Sequence, residues 1–205
     1  MNLRRSIGRG MSPQDFVDGM QIRTMELSGI QNTKQRFITE YEQFAWRNEE
    51  DRTYFSGIRE RSDLGHCLIL CTDWCPDVIW NVPLLLRVLE TCGIPGEILP
   101  MEEHLDVMDL FLTDGGRAQP VAAFLNTNGD VLGRWGARPA YIQAAMDRFK
   151  EEHPDKSRPE YMSNLDRTYR RIGELYREDN GARYRDAIIQ ELKILFTAFP
   201  KEARF

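Results

Sequence analysis

Apolar residues change their rhythm along the chain, and the changes divide it. Between residues 12 and 62 they return every three or four positions: Phe16, Met20 and Leu27, then Phe37, Tyr41 and Phe44. That is the spacing of helix faces packed on a core. Ser12-Pro13-Gln14-Asp15 supplies a start, with an N-cap serine, proline in the first helical position and an early acid. Asp63-Leu64-Gly65 breaks the pattern. HCLILC, 66–71, is then a short continuous apolar run, the mark of a strand covered on both faces.

Beyond WCPD, the stretch VIWNVPLLLRVLETCG returns to helical spacing, with Gly93 as its C-cap and Pro95 outside it. Pro83 inside it predicts a kink. GEILPM, 96–101, reads as a second strand, and EEHLDVMDLFLTDGG, 102–116, as a helix ending in glycine. VAAFLNTNGDVLGRW holds two apolar stretches around Asn128-Gly129, the strongest hairpin signal in the chain. A helix over 139–150 follows. The order is β-α-β-α-β-β-α: the first two strands, joined by a helix, should be parallel and the last two antiparallel. HPDKSRP, 153–159, reads as a linker, followed by helices over 160–178 and 182–198 that are broken at Asn180-Gly181. Ile188, Leu192, Leu195 and Phe199 form one apolar face of the last. The expected organisation is an N-terminal helical extension (1–62), an α/β domain (63–150) and a C-terminal helical extension (151–205). Neither extension is large enough to build its own core, so both should pack on the domain.

Composition narrows the function classes. Of 205 residues, 41% are hydrophobic and 29% charged, as in an ordinary globular protein. A net charge of −5 gives no reason to expect nucleic-acid binding. No apolar run approaches the roughly 18–20 residues that span a bilayer, so no membrane partner is expected. MNLRRSIGRGMSPQDF carries Arg4, Arg5 and Arg9 but no apolar core of a secretory signal, and is short for a transit peptide. The expected location is the cytoplasm. Four cysteines are too few for a disulfide scaffold.

The candidate chemistry lies in WCPDV, 74–78. Cys75 stands where a buried strand turns into a helix. Unpaired N–H groups and the positive end of the helix dipole favour a thiolate there, and such sites lower a thiol from about 8.5 into the range of roughly 3.5–7.5. Asp77 opposes this, and the expectation is that Cys75 titrates below a free thiol. Cys67, Cys71 and Cys75 are spaced by four, but Cys75 lies past the turn and His66 and His104 add no ligand spacing, so no metal and no other cofactor is expected. Cys71 should stay unbridged to Cys75, since a bridge needs Cα atoms within roughly 7 Å. Cys92 reads as a packing residue. Trp80 and Trp135 either border a peptide groove or fill the core.

TDWCPDVIWNVP resembles the active-site segment of thioredoxin-fold proteins. Cys75 falls on the nucleophile and Pro83 on the proline eight positions later. Pro120 in RAQPVAAF falls on the cis-proline that faces the cysteine, and Gly136 in RWGARP on the loop glycine that closes the site. GGRAQPVAAFLNTNGDVLGRWGARP is more closely similar to bacterial thioredoxin-like proteins with flanking helices, in which a small apolar residue replaces the second cysteine. The resemblance implies a thioredoxin-like α/β fold, a mixed four-stranded sheet between helices. It also implies a site made of Cys75 with Trp74, Pro76, Asp77, Gln119, Pro120 and Gly136 around the substrate.

Two departures bear on activity. Val78 stands where a dithiol enzyme has its resolving cysteine, and Ile69 where thioredoxin buries an acid. Two functions therefore stand side by side. One is monothiol exchange, in which Cys75 attacks a disulfide of a protein or low-molecular-weight thiol and a second small thiol resolves the product. The other is a non-catalytic module that docks a protein in the same groove. Nothing in the sequence sets the oligomeric state.

Overall fold

The unbroken apolar run from Cys67 to Cys71 is fully buried, as the last part of a central strand, β1 (Leu64–Cys71). In the computed structural model, which describes residues 1–200, β1 pairs in parallel with β2 (Gly96–Pro100) and antiparallel with β3 (Val121–Asn126). β3 pairs antiparallel with β4 (Val131–Gly136), giving the order β2-β1-β3-β4. This is the mixed four-stranded sheet that the order of elements implied.

Residues 12–62 are less continuous than their periodicity predicts. They form α1 (Pro13–Gly19), α2 (Thr33–Glu42) and α3 (Glu49–Gly57), with 3-10 turns at Glu26–Ser28 and Ile58–Glu60. Each helix starts afresh at its own cap, because a side-chain oxygen satisfies one of the first free N–H groups. Ser12 accepts from Asp15 N at 3.1 Å, Asn32 from Gln35 N at 2.9 Å and Asn48 from Asp51 N at 2.7 Å.

α4 (Pro76–Cys92) crosses from β1 to β2 and is buried over most of its surface. Pro83 lies inside it without ending it; what the proline removes is the N–H that would bond the carbonyl four residues back. The helix expected over 102–116 is reduced to one turn, α5 (Leu105–Met108), between 3-10 turns at Met101–Glu103 and Asp109–Phe111. Val107, Met108 and Phe111 drop onto the face of the sheet that carries Leu68, Leu70 and Leu99. Burial, rather than helix periodicity, sets the path of that segment. α6 (Ala140–Glu152), α7 (Tyr161–Arg177) and α8 (Ala182–Ala198) are the last helices of the described residues, with Asp179 and Asn180 at positive φ between the last two. Among the described residues, no helix is long and apolar enough to cross a membrane.

The other sheet face carries the main core. Phe37 and Phe55 from the N-terminal helices and Tyr176, Ile188 and Phe196 from the last two join Ile69, Val78 and Leu85 in one apolar cluster. Phe196 meets Phe124 of β3 edge-on, with ring centroids 4.8 Å apart. The first residues reach both outer strands. Met11 and Ile98 exchange backbone hydrogen bonds of 2.9 Å, and Val131 N donates to Met1 O at 2.9 Å. Buried Glu97 accepts from Gly8 N at 2.8 Å, accepts from Gly10 N, and lies 3.2 Å from His66 Nε2. A Cβ on Gly10 would meet Ile98 O at 2.2 Å, so only glycine lets this segment lie so close to β2.

Candidate functional site

After Cys71 the chain leaves the sheet through Thr72, Asp73 and Trp74, and α4 begins at Pro76. Proline suits that position because its missing N–H would have no helical partner there. Cys75 is the N-cap, with extended backbone (φ −94°, ψ 125°). Its carbonyl accepts from Val78 N at 3.1 Å and Ile79 N at 3.3 Å. The turn is held from outside, since Asp73 accepts from Gln21 N at 2.8 Å and pairs with Arg23 at 2.7 Å.

The Cys75 thiol donates to the carbonyl of Gln119 at 3.6 Å. The Gln119–Pro120 bond is cis, and β3 starts at the next residue. Gly136 stands opposite Val121 at φ +136°, where an added Cβ would meet Pro120 O at 2.0 Å. Glycine is therefore what allows β4 to lie against the Pro120 turn. Trp74 is 47% exposed, and its indole N–H donates to Glu102 at 2.7 Å.

These elements open on a cleft of about 670 Å³. Trp74, Cys75, Pro76, Asp77 and Gln119 all line it, and Leu27, Arg138, Met146 and Tyr169 close it from the helical parts and the loop after β4. Pro120 and Gly136 are not among the residues that line it, although the resemblance placed them at the site. Trp80 and Trp135 are packing residues away from the cleft. Trp80 is buried and stacks on Tyr176 (5.5 Å, 7°), and the Trp135 indole donates to Glu191 of α8 at 2.7 Å.

Beneath the cleft is a polar network that the sequence did not reveal. Asp77 is 5% exposed; one carboxylate oxygen accepts from Arg138 Nη2 at 2.5 Å, the other from the Tyr176 hydroxyl at 2.8 Å. Asn81 donates to the Tyr176 hydroxyl at 2.8 Å and to Ala137 O at 3.0 Å. A carboxylate so far from water needs such donors to replace the hydrogen bonds it loses on burial. Arg138 stands within the WGARP segment, where the glycine drew attention and the arginine did not. Tyr176 lies on α7, and no local signal links it to Cys75.

The electrostatics overturn one expectation. Burial pushes the Cys75 thiol up to about 12, and the Asp77 carboxylate adds to the rise. The N–H groups of Val78 and Asp77 and the charge of Arg138 act in the opposite direction but do not offset it. The helix N-terminus is present as expected; the loss of water around the sulfur outweighs it. Burial likewise raises the thiols of Cys67, Cys71 and Cys92. All four cysteines are free, so Cys71 and Cys75 are not bridged. Burial works against the charge on Arg138, yet Asp77 holds it above its ordinary value.

A mixed sheet in the order β2-β1-β3-β4, with a cysteine capping the first crossover helix opposite the turn into β3, defines a thioredoxin-like α/β protein. A family model described as thioredoxin (Thioredoxin_9) matches residues 19–150, more than half of the chain, and the chain belongs to that thioredoxin family. The match starts well ahead of β1 and takes in α2 and α3. Two solved structures share the fold. A protein of unknown function from Pseudomonas aeruginosa is 19% identical over 92% of each chain, with a TM-score of 0.55. An HIV epitope-scaffold is 17% identical over 98% of this chain and 100% of its own, with a TM-score of 0.59. No curated protein matches the chain.

Proposed function

We propose that the chain is a monothiol member of its family, of bacterial type, in which Cys75 exchanges with disulfides of low-molecular-weight or protein thiols in the cytoplasm. The observation that carries this is the contrast among its thiols. Cys75 alone opens on a cleft, while Cys67, Cys71 and Cys92 are at most 1% exposed. Val78, fully buried, occupies the place of a resolving cysteine, so the second thiol must come from outside the chain.

The Cys75 sulfur attacks one sulfur of R–S–S–R. A Cys75–S–S–R bond forms and the other half leaves with the bonding pair. It takes up the proton that Cys75 lost, so the cysteine is oxidised and one R–S reduced. A different thiol, R′–SH, then attacks the R sulfur of the mixed disulfide, restores the Cys75 thiol and releases R–S–S–R′, so that one R–S group has passed to a new partner. Trp74 covers the sulfur, Pro76 and Asp77 form the first turn beside it, and the Gln119 carbonyl accepts its proton side. Pro120 and Gly136 hold that carbonyl in place.

A second reading, a binding module without catalysis, is favoured by the thiol pushed up to about 12, which leaves little thiolate at neutral pH. Trapping separates the two. With excess hydroxyethyl disulfide at pH 8, the exchange reading expects one adduct, on Cys75, reversed by excess thiol and absent in Cys75→Ser. If Cys75 is modified no faster than Cys92 in the native protein, the module reading stands instead.

A further inference from the structure

The last turn of α4 is covered by a cation. Arg59, in the 3-10 turn after α3, donates from Nε to Thr91 O at 2.9 Å and from Nη2 to Glu90 O at 2.8 Å. Its stem lies against Gly93, where an added Cβ would meet Arg59 Cγ at 3.1 Å. One edge of the guanidinium is therefore fixed on the helix end. The adjacent edge, Nη1 with the second N–H of Nη2, keeps two parallel donors, the arrangement that holds two oxygens of one oxyanion. Among the described residues, no carboxylate pairs with Arg59. Arg59 is nevertheless exposed, and with Trp46, Arg52, Ser56 and Arg87 it lines an opening of about 620 Å³. With its stem and inner edge engaged, what it presents there is the free edge. The other two cations are incompletely matched. Arg87 donates to Glu90 at 2.7 Å, but Glu90 also accepts from the Tyr41 hydroxyl. Arg52 reaches Glu49 only at 3.5 Å, with the two side chains 60% and 75% exposed, a pair worth little in water. Three cations thus meet two carboxylates around one opening, in a chain whose net charge is −5. Carbonyls at a helix C-terminus repel anions; here Arg59 is bonded to two of them.

We infer that this opening binds a phosphate dianion, two of whose oxygens take the free edge of Arg59 while Arg52 and Arg87 supply further positive charge. A carboxylate carries one charge; a phosphate monoester at neutral pH carries close to two, on three acceptor oxygens, and so suits a fixed fork with other cations beside it. Trp46 gives the wall an aromatic surface for an organic group attached to the phosphate. The opening shares no lining residue with the Cys75 cleft, and the inference is independent of the exchange reading.

The test is an NMR titration of the full chain at pH 8 with inorganic phosphate, with phenyl phosphate and with phenol as the uncharged control. The expected result is saturable movement of the Trp46, Ser56 and Arg59 signals with phosphate-bearing probes, at a Kd of about 1 mM or tighter, and none with phenol. Tighter binding of phenyl phosphate than of phosphate assigns a monoester as the ligand, and equal binding the free anion. Arg59→Gln should weaken binding about tenfold, the scale of one charge-assisted bidentate contact. Because Arg59 also holds the end of α4, Arg52→Gln is the second variant. Its side chain is exposed, and it should weaken binding about threefold with the rest of the spectrum unchanged. The inference is overturned by no saturable movement with either phosphate, by equal movement with phenol, or by parent affinity in both variants.

Discussion

Tyr176 donates its hydroxyl to Asp77 at 2.8 Å across 99 positions of sequence, tying α7 to the first turn of the helix that Cys75 caps. The C-terminal helices are thereby part of the site's foundation. Removing the hydroxyl leaves Asp77 with Arg138 as its one side-chain donor and takes away one of the two acceptors of Asn81 Nδ2, the other being Ala137 O. Tyr176→Phe should cost about 1–3 kcal/mol, the range for stranding buried polar partners. Urea unfolding measures it. Tyr169→Phe, at a 36% exposed tyrosine, is the control and should fall within about 0.5 kcal/mol of the parent.

The raised thiols make alkaline pH a stress on the fold. Below pH 9.0, the ordinary value, the Cys75 thiol is protonated in folded and unfolded chains alike; above it, the unfolded chain loses the proton first. The native state then binds more protons than the unfolded one, so stability falls as pH rises from 9.0 towards about 12. Cys92, also raised from 9.0 to about 12, acts in the same window and direction. Urea midpoints should hold steady from pH 7 to 8.5 and drop at pH 10. Alkylation of Cys75 by iodoacetamide should climb about tenfold per pH unit across the same range, following the thiolate. A plateau near pH 7 would contradict the assigned direction.

Val78→Cys restores a thiol in the first turn of α4, at a fully buried site where a side chain of similar size fits with little loss of packing. Mild oxidation should then consume two thiols, as a bridge from Cys75 to the introduced cysteine, and an insulin reduction assay should show turnover that the parent lacks. Persistence of two free thiols after oxidation would mean that the first turn cannot bring the sulfurs together.

Gly136→Ala introduces a Cβ that would meet Pro120 O at 2.0 Å, at a φ of +136° that side chains rarely adopt. β4 must shift from β3 at the Val121–Gly136 pair. The expected loss is about 2–4 kcal/mol, read as a lower urea midpoint. Gly133→Ala tests a different glycine of the same strand: its Cβ would press on the ends of the Phe199 and Leu195 side chains, which can turn aside, and the loss should be smaller.

The sheet and the Cys75 junction were legible because their signals are local. HCLILC leaves one interpretation, Asn128-Gly129 marks the hairpin, and Ser12 marks a cap. The segment after Met101 misled because Val107, Met108 and Phe111 keep helical spacing while their burial on the sheet is what orders them. The N-terminal helices were run together because Asn32 and Asn48, each a cap, sit among polar residues that also suit a helix surface. Reading Cys75 as a depressed thiol weighed the helix end, which sequence shows, against burial, which it does not. The Asp77–Arg138–Tyr176 cluster needs three segments to meet, and no spacing within one segment announces it.

A four-stranded sheet has two outer strands, each a row of backbone groups open to pairing with a stray chain. Here one short stretch occupies both: Met11 is bonded to Ile98 on β2, and Met1 to Val131 on β4. Residues 1–11 of the same chain thus occupy part of both edges, where strand addition would start. Trimming the chain back to its sheet would therefore do more than remove decoration. It would expose templates for aggregation, and the fragment should be harder to keep in solution than the whole.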